Sequence, residues 1–229
     1  MKKFLTLVII IALIAYAAIY YIQSEAKGLK VIYIYGKAYI NPGEKVLQVG
    51  NYVPEETSVK LMKASRCFLQ MLNGAIIKLF AKASVKIEKD AINIEEGNLS
   101  YNAQNAITTY KQPNIIIPDG EININSKDFN VNVEKKRSVL CVYEGNLTLT
   151  VDGKEFIINS SEGCIIENGK VRTGLKLPEM TNIKLPQNDS SINSVPILVE
   201  CENVKNAKFY QWECSLNKEF TKVDSDDLL

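Results

Sequence analysis

The chain has 229 residues, with 27 Lys and Arg against 26 Asp and Glu and no histidine. This balance gives no electrostatic preference for nucleic acid, which we do not expect as a partner. Without histidine, neither a Ser-His-Asp nor a Cys-His site can be built, and imidazole zinc sites are excluded. Carboxylate pairs, Ser-Lys dyads and oxygen-ligated metals remain open, so most common hydrolase designs are excluded but not every enzyme.

The first element in chain order is an apolar run over residues 4–22 without charge, Pro or Gly, preceded by two lysines. About 20 apolar residues span a bilayer core of ~30 Å, and flanking lysines favour the cytoplasmic side. We predict that residues 1–26 form an N-terminal transmembrane anchor and that the rest lies outside the cytoplasm. The alternative is a cleaved secretory signal ending near Ser24-Glu25-Ala26, which leaves a secreted or periplasmic protein.

Residues 27–174 are dominated by short segments in which β-branched or aromatic residues alternate with polar ones. A period of two is typical of half-buried strands, and no helical period appears in this range. The sequence therefore predicts an all-β domain. The segments include LKVIYIYG, SVKLMKA, AIIKLF, SVKIE, INIEE, NIIIP, EININ, FNVNV, VLCVY, LTLTV and EFIIN.

Glycines recur at intervals of 23 to 25 residues through the predicted domain, by subtraction of their positions. A fixed period of this size is produced by the stacked coils of a β-solenoid. It also arises in an antiparallel sandwich whose turns come every 8–12 residues. We favour an antiparallel β-sandwich with solenoid-like regularity. The recurring glycines are Gly50, Gly74, Gly97, Gly120, Gly145 and Gly169.

The composition changes at residues 175–195, where proline alternates with Asn and Ser, and we interpret this range as a linker. Residues 196–229 again contain strand-like segments. The spacing of six residue types in this range resembles the start of a fibronectin-type or immunoglobulin-like domain, with Trp212 as core anchor. These residue types are Ala, Tyr, Trp, Ser, Asn and Phe. A full sandwich needs ~100 residues, so we predict a short, incomplete β extension.

The predicted domain resembles the FecR domain, an extracytoplasmic module. That family shows a glycine-begun strand, a leucine-x-x-glycine step, a strand with an Asn-Gly or Asp-Gly turn, an apolar strand, a serine-containing strand and a closing glycine. The matching segments are Gly36-Lys37-Ala38-Tyr39, Leu47-Gln48-Val49-Gly50, Phe68 to Gly74, Ile76-Ile77-Lys78-Leu79, Ser84-Val85-Lys86-Ile87, Ile94 to Gly97 and, later, Cys141 to Leu149.

Two departures from the FecR pattern limit what the resemblance implies. The arginine-glycine-threonine segment of the family is replaced here by Lys127-Asp128-Phe129-Asn130. Only three residues precede the apolar run, whereas the regulators of this family carry a cytoplasmic sigma-factor-binding segment. The resemblance therefore implies an exported β module for binding or interaction and not transmembrane signalling.

Four tyrosines near the start of the domain are the candidate ligand-binding residues: Tyr33, Tyr35, Tyr39 and Tyr52. Tyr33 and Tyr35 share one strand face, and an exposed aromatic face stacks on sugars or binds protein. The alternative is that these tyrosines close the edge of the core.

Cys201 and Cys214 flank a segment centred near Asn206. A hairpin there would bring the two cysteines within disulfide reach, and two separate buried thiols are the alternative.

Three carboxylates precede periodic glycines, and stacked coils would align them as a calcium site. Ordinary turn chemistry explains them equally, so we predict no metal and no cofactor. They are Glu96, Asp119 and Glu144.

Together these features predict a non-enzymatic, membrane-anchored, extracytoplasmic FecR-like domain that binds or scaffolds an envelope protein or a cell-wall glycan. An alternative is an envelope assembly protein whose C-terminal strands pair with a partner's edge strand. A histidine-free hydrolase is the third hypothesis.

Overall fold

The computed structural model describes residues 28–41, 43–104, 106–107, 112–178, 183–185, 200–204, 214–215 and 223–225. Within these residues the secondary structure consists of strands: β1 (Gly28–Tyr35), β2 (Ala38–Asn41), β3 (Lys45–Val46), β4 (Tyr52–Pro54), β5 (Thr57–Leu61), β6 (Arg66–Gln70), β7 (Ile76–Leu79), β8 (Ser84–Ile87), β9 (Ala91–Asn102), β10 (Asn114–Ile117), β11 (Gly120–Glu134), β12 (Arg137–Val151), β13 (Lys154–Asn159), β14 (Glu162–Glu167), β15 (Lys170–Lys176), β16 (Ile183–Leu185), β17 (Glu200–Cys201), β18 (Cys214–Ser215) and β19 (Val223–Ser225).

Strands β1–β15 form one large sheet with the main order β15-β14-β12-β11-β10-β9-β7-β6-β1-β4. Strands β2, β3, β5 and β8 extend from β9, and β13 pairs with β12. The predicted all-β class is confirmed, and the sheet is mostly antiparallel. In a solenoid, strands of successive coils would pair in parallel with partners one glycine period apart. The pair β9 and β10 has this arrangement, because Asn114 lies opposite Ala91, which is 23 residues earlier by subtraction.

The three longest strands have different neighbours in their two halves. The first half of β9 pairs with β8 and β10, and its second half pairs with β7 and β11. β12 likewise pairs with β14 and then with β13. The change falls at Gly97 in β9 and at Gly145 in β12, where φ is +101° and +90°. A Cβ on Gly97 would lie 2.5 Å from the Ala83 Cα, so close backbone approach requires glycine there.

The periodic glycines therefore have two physical origins. Gly97 and Gly145 lie inside strands, whereas Gly74 and Gly169 lie in turns between consecutive strands. The shared spacing therefore joins glycines at different structural positions and does not mark one repeated position of a coil.

One hydrophobic cluster fills the core of the main unit, because alternate strand residues point inward. At its centre Tyr101 of β9 and Phe129 of β11 lie opposite each other and stack, with ring centroids 5.0 Å apart. The Tyr101 hydroxyl donates a hydrogen bond to the Gln112 side chain, which satisfies the polar atom of a fully buried ring.

The chain divides into two compact units, the first ending at Leu175 and the second beginning at Lys176. In the second unit β16 pairs with β17, and β18 pairs with β19. The linker at 175–195 and the incomplete extension at 196–229 remain predictions.

The predicted anchor at 1–26 lies outside the described residues. Among the described residues, no helix is long and apolar enough to cross a bilayer.

Candidate functional site

The first two candidate tyrosines occupy different surroundings on β1. Tyr33 lies opposite Phe68 of β6, with ring centroids 4.8 Å apart, so it packs against the sheet. Tyr35 lies opposite Arg66 and is 55% exposed. Of this pair, Tyr35 has the larger free surface.

The other two candidate tyrosines line separate grooves. Tyr39 of β2 lies beside Asn41, Lys60 and Met62 in a groove on that strand. Tyr52 belongs to β4, which pairs only with β1 among the described strands. The structure therefore does not bring the four tyrosines into one patch, and their role in binding stays a prediction.

A groove opens where β1 begins and where the β6–β7 and β8–β9 turns meet. We call it the end groove; its volume is about 170 Å³ and its surface is mainly apolar. Its described lining residues include no aromatic side chain. It is bounded by Gly28, Leu29, Glu55, Met71, Leu72, Asn73, Ile87, Glu88, Lys89, Ile92 and Pro113.

Asn73 borders the end groove and carries a buried amide with an unusual hydrogen-bonding pattern. Its side chain is 98% buried, and its Oδ1 accepts a hydrogen bond from the Ala75 backbone N–H at 2.9 Å. This bond orients the amide. Among the described residues the buried Nδ2 group has no hydrogen-bond partner. A buried donor without a partner costs about 1–3 kcal/mol of stability.

A second groove, the edge groove, adjoins the first and shares Gly28, Met71 and Leu72 with it. Tyr52 lines it together with Lys30. Leu72 is 69% exposed at the boundary between the two grooves, and Tyr52 is 41% exposed. Exposed apolar side chains next to concave surface are typical of binding sites.

Charged side chains surround the end groove unevenly. Glu55 and Glu88 contribute two carboxylates and Lys89 one ammonium. Glu88 accepts a hydrogen bond from Lys86 at 2.8 Å, and Glu56 lies 3.5 Å from the same ammonium. The hydrogen bond and charge of Glu88 raise the pKa of Lys86, and Glu56 adds to this effect. Glu88 is thereby held in place at the groove.

The thiols of the main unit are not activated nucleophiles. Burial raises the pKa of Cys67 to about 12 and that of Cys164 to about 11, and it also raises the pKa of Cys141. The thiolate is the reactive form, so these groups remain protonated and pack as small hydrophobic residues.

The two cysteines of the candidate disulfide lie in different two-stranded sheets. Cys201 belongs to β17 and pairs with Ile183, whereas Cys214 belongs to β18 and pairs with Ser225. Cys201 is a free cysteine. A bridge between them stays a prediction, which the mass of the protein before and after reduction would test.

The three carboxylates considered for calcium lie apart in the sheet. Glu96 lies in β9, Asp119 lies in the turn before β11, and Glu144 lies 3.5 Å from the Lys127 ammonium. Within the described ranges, no three Cys, Asp or Glu residues are grouped to hold a metal ion.

Sequence reasoning missed the end groove. Asn73-Gly74 signals a tight turn, which the structure contains, but the groove itself depends on packing between distant segments. The available signal was an asparagine between apolar residues at a turn, which also fits an ordinary turn.

No protein-family model and no curated protein matches the sequence. Two solved structures of a "putative anti-sigma factor" from Parabacteroides distasonis ATCC 8503 are distantly similar. The structure at 1.65 Å resolution has a TM-score of 0.46 and 12% identity, and the structure at 2.50 Å has a TM-score of 0.45 and 14% identity. In both cases the match covers 52% of this chain and 60% of the other.

Proposed function

We propose that this chain is a non-enzymatic, FecR-like binding or scaffolding domain that lies outside the cytoplasm. A single N-terminal span over residues 4–22 holds it to the membrane, and its ligand is an envelope protein or a cell-wall glycan. The apolar run and the all-β body support this assignment. The protonated, buried thiols and the lack of histidine in the sequence disfavour nucleophilic catalysis.

The observation that carries the proposal is the pair of adjoining grooves bordered by exposed Tyr52 and Leu72. Tyrosine supplies a large contact area at a low cost in conformational entropy, together with a hydroxyl for hydrogen bonding. Such a side chain on an edge strand suits both a sugar ring and a protein surface. The edge groove is therefore our site for the envelope ligand.

The test compares Tyr52→Ser with Tyr143→Ser, a matched variant because Tyr143 is also an exposed tyrosine, on β12. The full chain in lipid nanodiscs is incubated with purified cell-wall glycan and, separately, with solubilised envelope proteins. We expect Tyr52→Ser to weaken capture by about tenfold and Tyr143→Ser to leave it unchanged. Capture of neither ligand, or equal loss in both variants, would refute the proposed site.

A further inference from the structure

Four strands of the main sheet have a neighbour on one side only, counted among the described strands: β3, β4, β13 and β15. Short length, proline and charge discourage an edge strand from pairing with another chain. Three of the four edges have such features. β3 has two residues, β4 has three and ends at Pro54, and β15 carries Lys170, Arg172 and Lys176.

The edge strand β13 lacks this protection over most of its length. It has six residues, and its two charged side chains, Lys154 and Glu155, are of opposite sign and lie at one end. Ile157 is 64% exposed on the face away from the core, whereas Ile158 is buried and Phe156 packs against the core cluster. An exposed, uncharged, apolar edge is a template for another strand.

The turn before β13 determines which backbone groups face the free edge. Asp152 and Gly153 have φ values of +49° and +73°, as in a two-residue type I′ turn. In such a turn the N–H that follows donates to the C=O that precedes, here Lys154 to Val151, which lie opposite each other. The backbone groups of Lys154 thus face β12. Because direction alternates along a strand, those of Ile157 face the free edge.

The end of β13 agrees with this alternation. The Asn159 N–H donates to the Glu162 side chain at 3.0 Å, which is expected of a group directed away from β12. Glu155 and Ile157 therefore offer their N–H and C=O groups at the edge, and Asn159 offers its C=O. Another β-strand satisfies such a row of donors and acceptors.

The side chains of β13 match those of a second copy of the same strand. Antiparallel pairing centred on Ile157 places the two Ile157 side chains opposite each other, Phe156 opposite Ile158, and Glu155 opposite Asn159. Apolar side chains then meet apolar ones on both faces, and a carboxylate meets an amide. The formal net charge of the whole chain is +1, so long-range repulsion between two copies is small.

We propose that β13 is a dimerisation edge, through which two copies of this chain pair antiparallel about Ile157. The two Ile157 residues exchange two backbone hydrogen bonds, and each Glu155 N–H donates to the Asn159 C=O of the second copy. One strand pair covers less than the roughly 1,000 Å² of a stable interface, so the dimer is weak and depends on concentration. This inference goes beyond the proposed binding function and uses neither groove, so the two proposals can fail separately.

The first test traps the dimer with a disulfide. The Cα atoms of two opposite, hydrogen-bonded residues are about 5.5 Å apart, which is within disulfide reach. The full chain carrying Ile157→Cys is oxidised in detergent micelles, and covalent dimers are measured by non-reducing electrophoresis. The wild-type chain is the blank for its native cysteines. We expect severalfold more dimer from Ile157→Cys than from the wild type.

Two controls make the cross-link specific for the position. Glu155→Cys lies on the same strand and face, but its two copies are about 13 Å apart along the paired strands, beyond disulfide reach. Tyr143→Cys, at an exposed position on β12, measures random collisions. Ile157→Cys dimers no more abundant than those of either control would overturn the proposal.

The second test measures association without oxidation, by sedimentation of the full chain over a concentration series. Ile157→Lys sets two ammonium groups opposite each other and removes the apolar contact, and we expect at least about tenfold weaker association. Ile157→Val keeps a β-branched apolar side chain and should associate nearly as the wild type does. Because residue 157 is exposed, each variant should fold, which circular dichroism checks. Equal association of Ile157→Lys and the wild type, or a wild-type chain that stays monomeric throughout, would contradict the proposal.

Discussion

Strands β11 and β12 are each 15 residues long and pair with each other along their length, whereas β1–β8 have between 2 and 8 residues each. The long pair buries alternate side chains on either side of an exposed stretch at Tyr143–Asn146 and reverses through a two-residue turn. The short strands are interrupted at Glu56, Ala64 and Lys82, where φ is positive. The three grooves are all lined by residues from 28–113. These three grooves therefore lie with the short strands and not with the long pair.

The largest expected effect is in the long pair. Phe129→Ala removes a fully buried ring that stacks on Tyr101, and we expect the free energy of unfolding to fall by about 3–5 kcal/mol. The comparison is Phe68→Ala in β6, a buried ring that packs on Tyr33 outside the core cluster, for which we expect a smaller loss. Urea unfolding of both variants, followed by circular dichroism, measures the difference. A larger loss for Phe68→Ala would reverse the comparison between the two regions.

The next effect concerns Gly97 in β9, where the strand changes its neighbours. In Gly97→Ala the residue keeps a positive φ, and its added Cβ would lie 2.5 Å from the Ala83 Cα. We expect the free energy of unfolding to fall by about 2–4 kcal/mol. Gly153→Ala is the matched control, because its φ is +73° but no atom lies within 4 Å of the added carbon. It should lose only about 1 kcal/mol. Equal losses would show that backbone strain, and not close strand approach, requires glycine at this position.

Local sequence patterns predicted most strands but not their continuity. EININ and FNVNV read as two strands, because Ser126-Lys127-Asp128 between them is polar and turn-like, yet they form one strand, β11. VLCVY and LTLTV likewise join through Gly145 to form β12. Alternation is a local property, whereas the continuity of a strand depends on which neighbours pair with each half.

The candidate site was harder to predict for the same reason. Tyr39 and Tyr52 are close in sequence, but β2 and β4 belong to different branches of the sheet, so the two residues line different grooves. The end groove is lined by residues of β1, of the β6–β7 and β8–β9 turns and by Pro113. Only the packing of these distant segments brings them together, and no spacing in a single sequence encodes it.

The smallest effect tests whether a buried, unpartnered polar group has the same meaning in both regions. The Ser138 hydroxyl lies in β12, is fully buried and has no hydrogen-bond partner within the part of the chain that the structure describes. It lines none of the three grooves. Ser138→Ala should therefore leave the free energy of unfolding unchanged or raise it by up to about 1 kcal/mol, since it removes an unsatisfied group.

Asn73→Ala is the counterpart among the short strands: it removes the unsatisfied Nδ2 but leaves the buried Ala75 N–H without its acceptor. These two effects offset each other, so we expect no gain in the free energy of unfolding from this variant. A gain in stability for Ser138→Ala without a gain for Asn73→Ala, measured by urea unfolding, would show that the serine hydroxyl is a defect tolerated in a strong core, whereas the asparagine oxygen stabilises a turn. Loss of stability in Ser138→Ala would mean that an ordered water satisfies the hydroxyl, and the contrast between the two regions would then not extend to their buried polar groups.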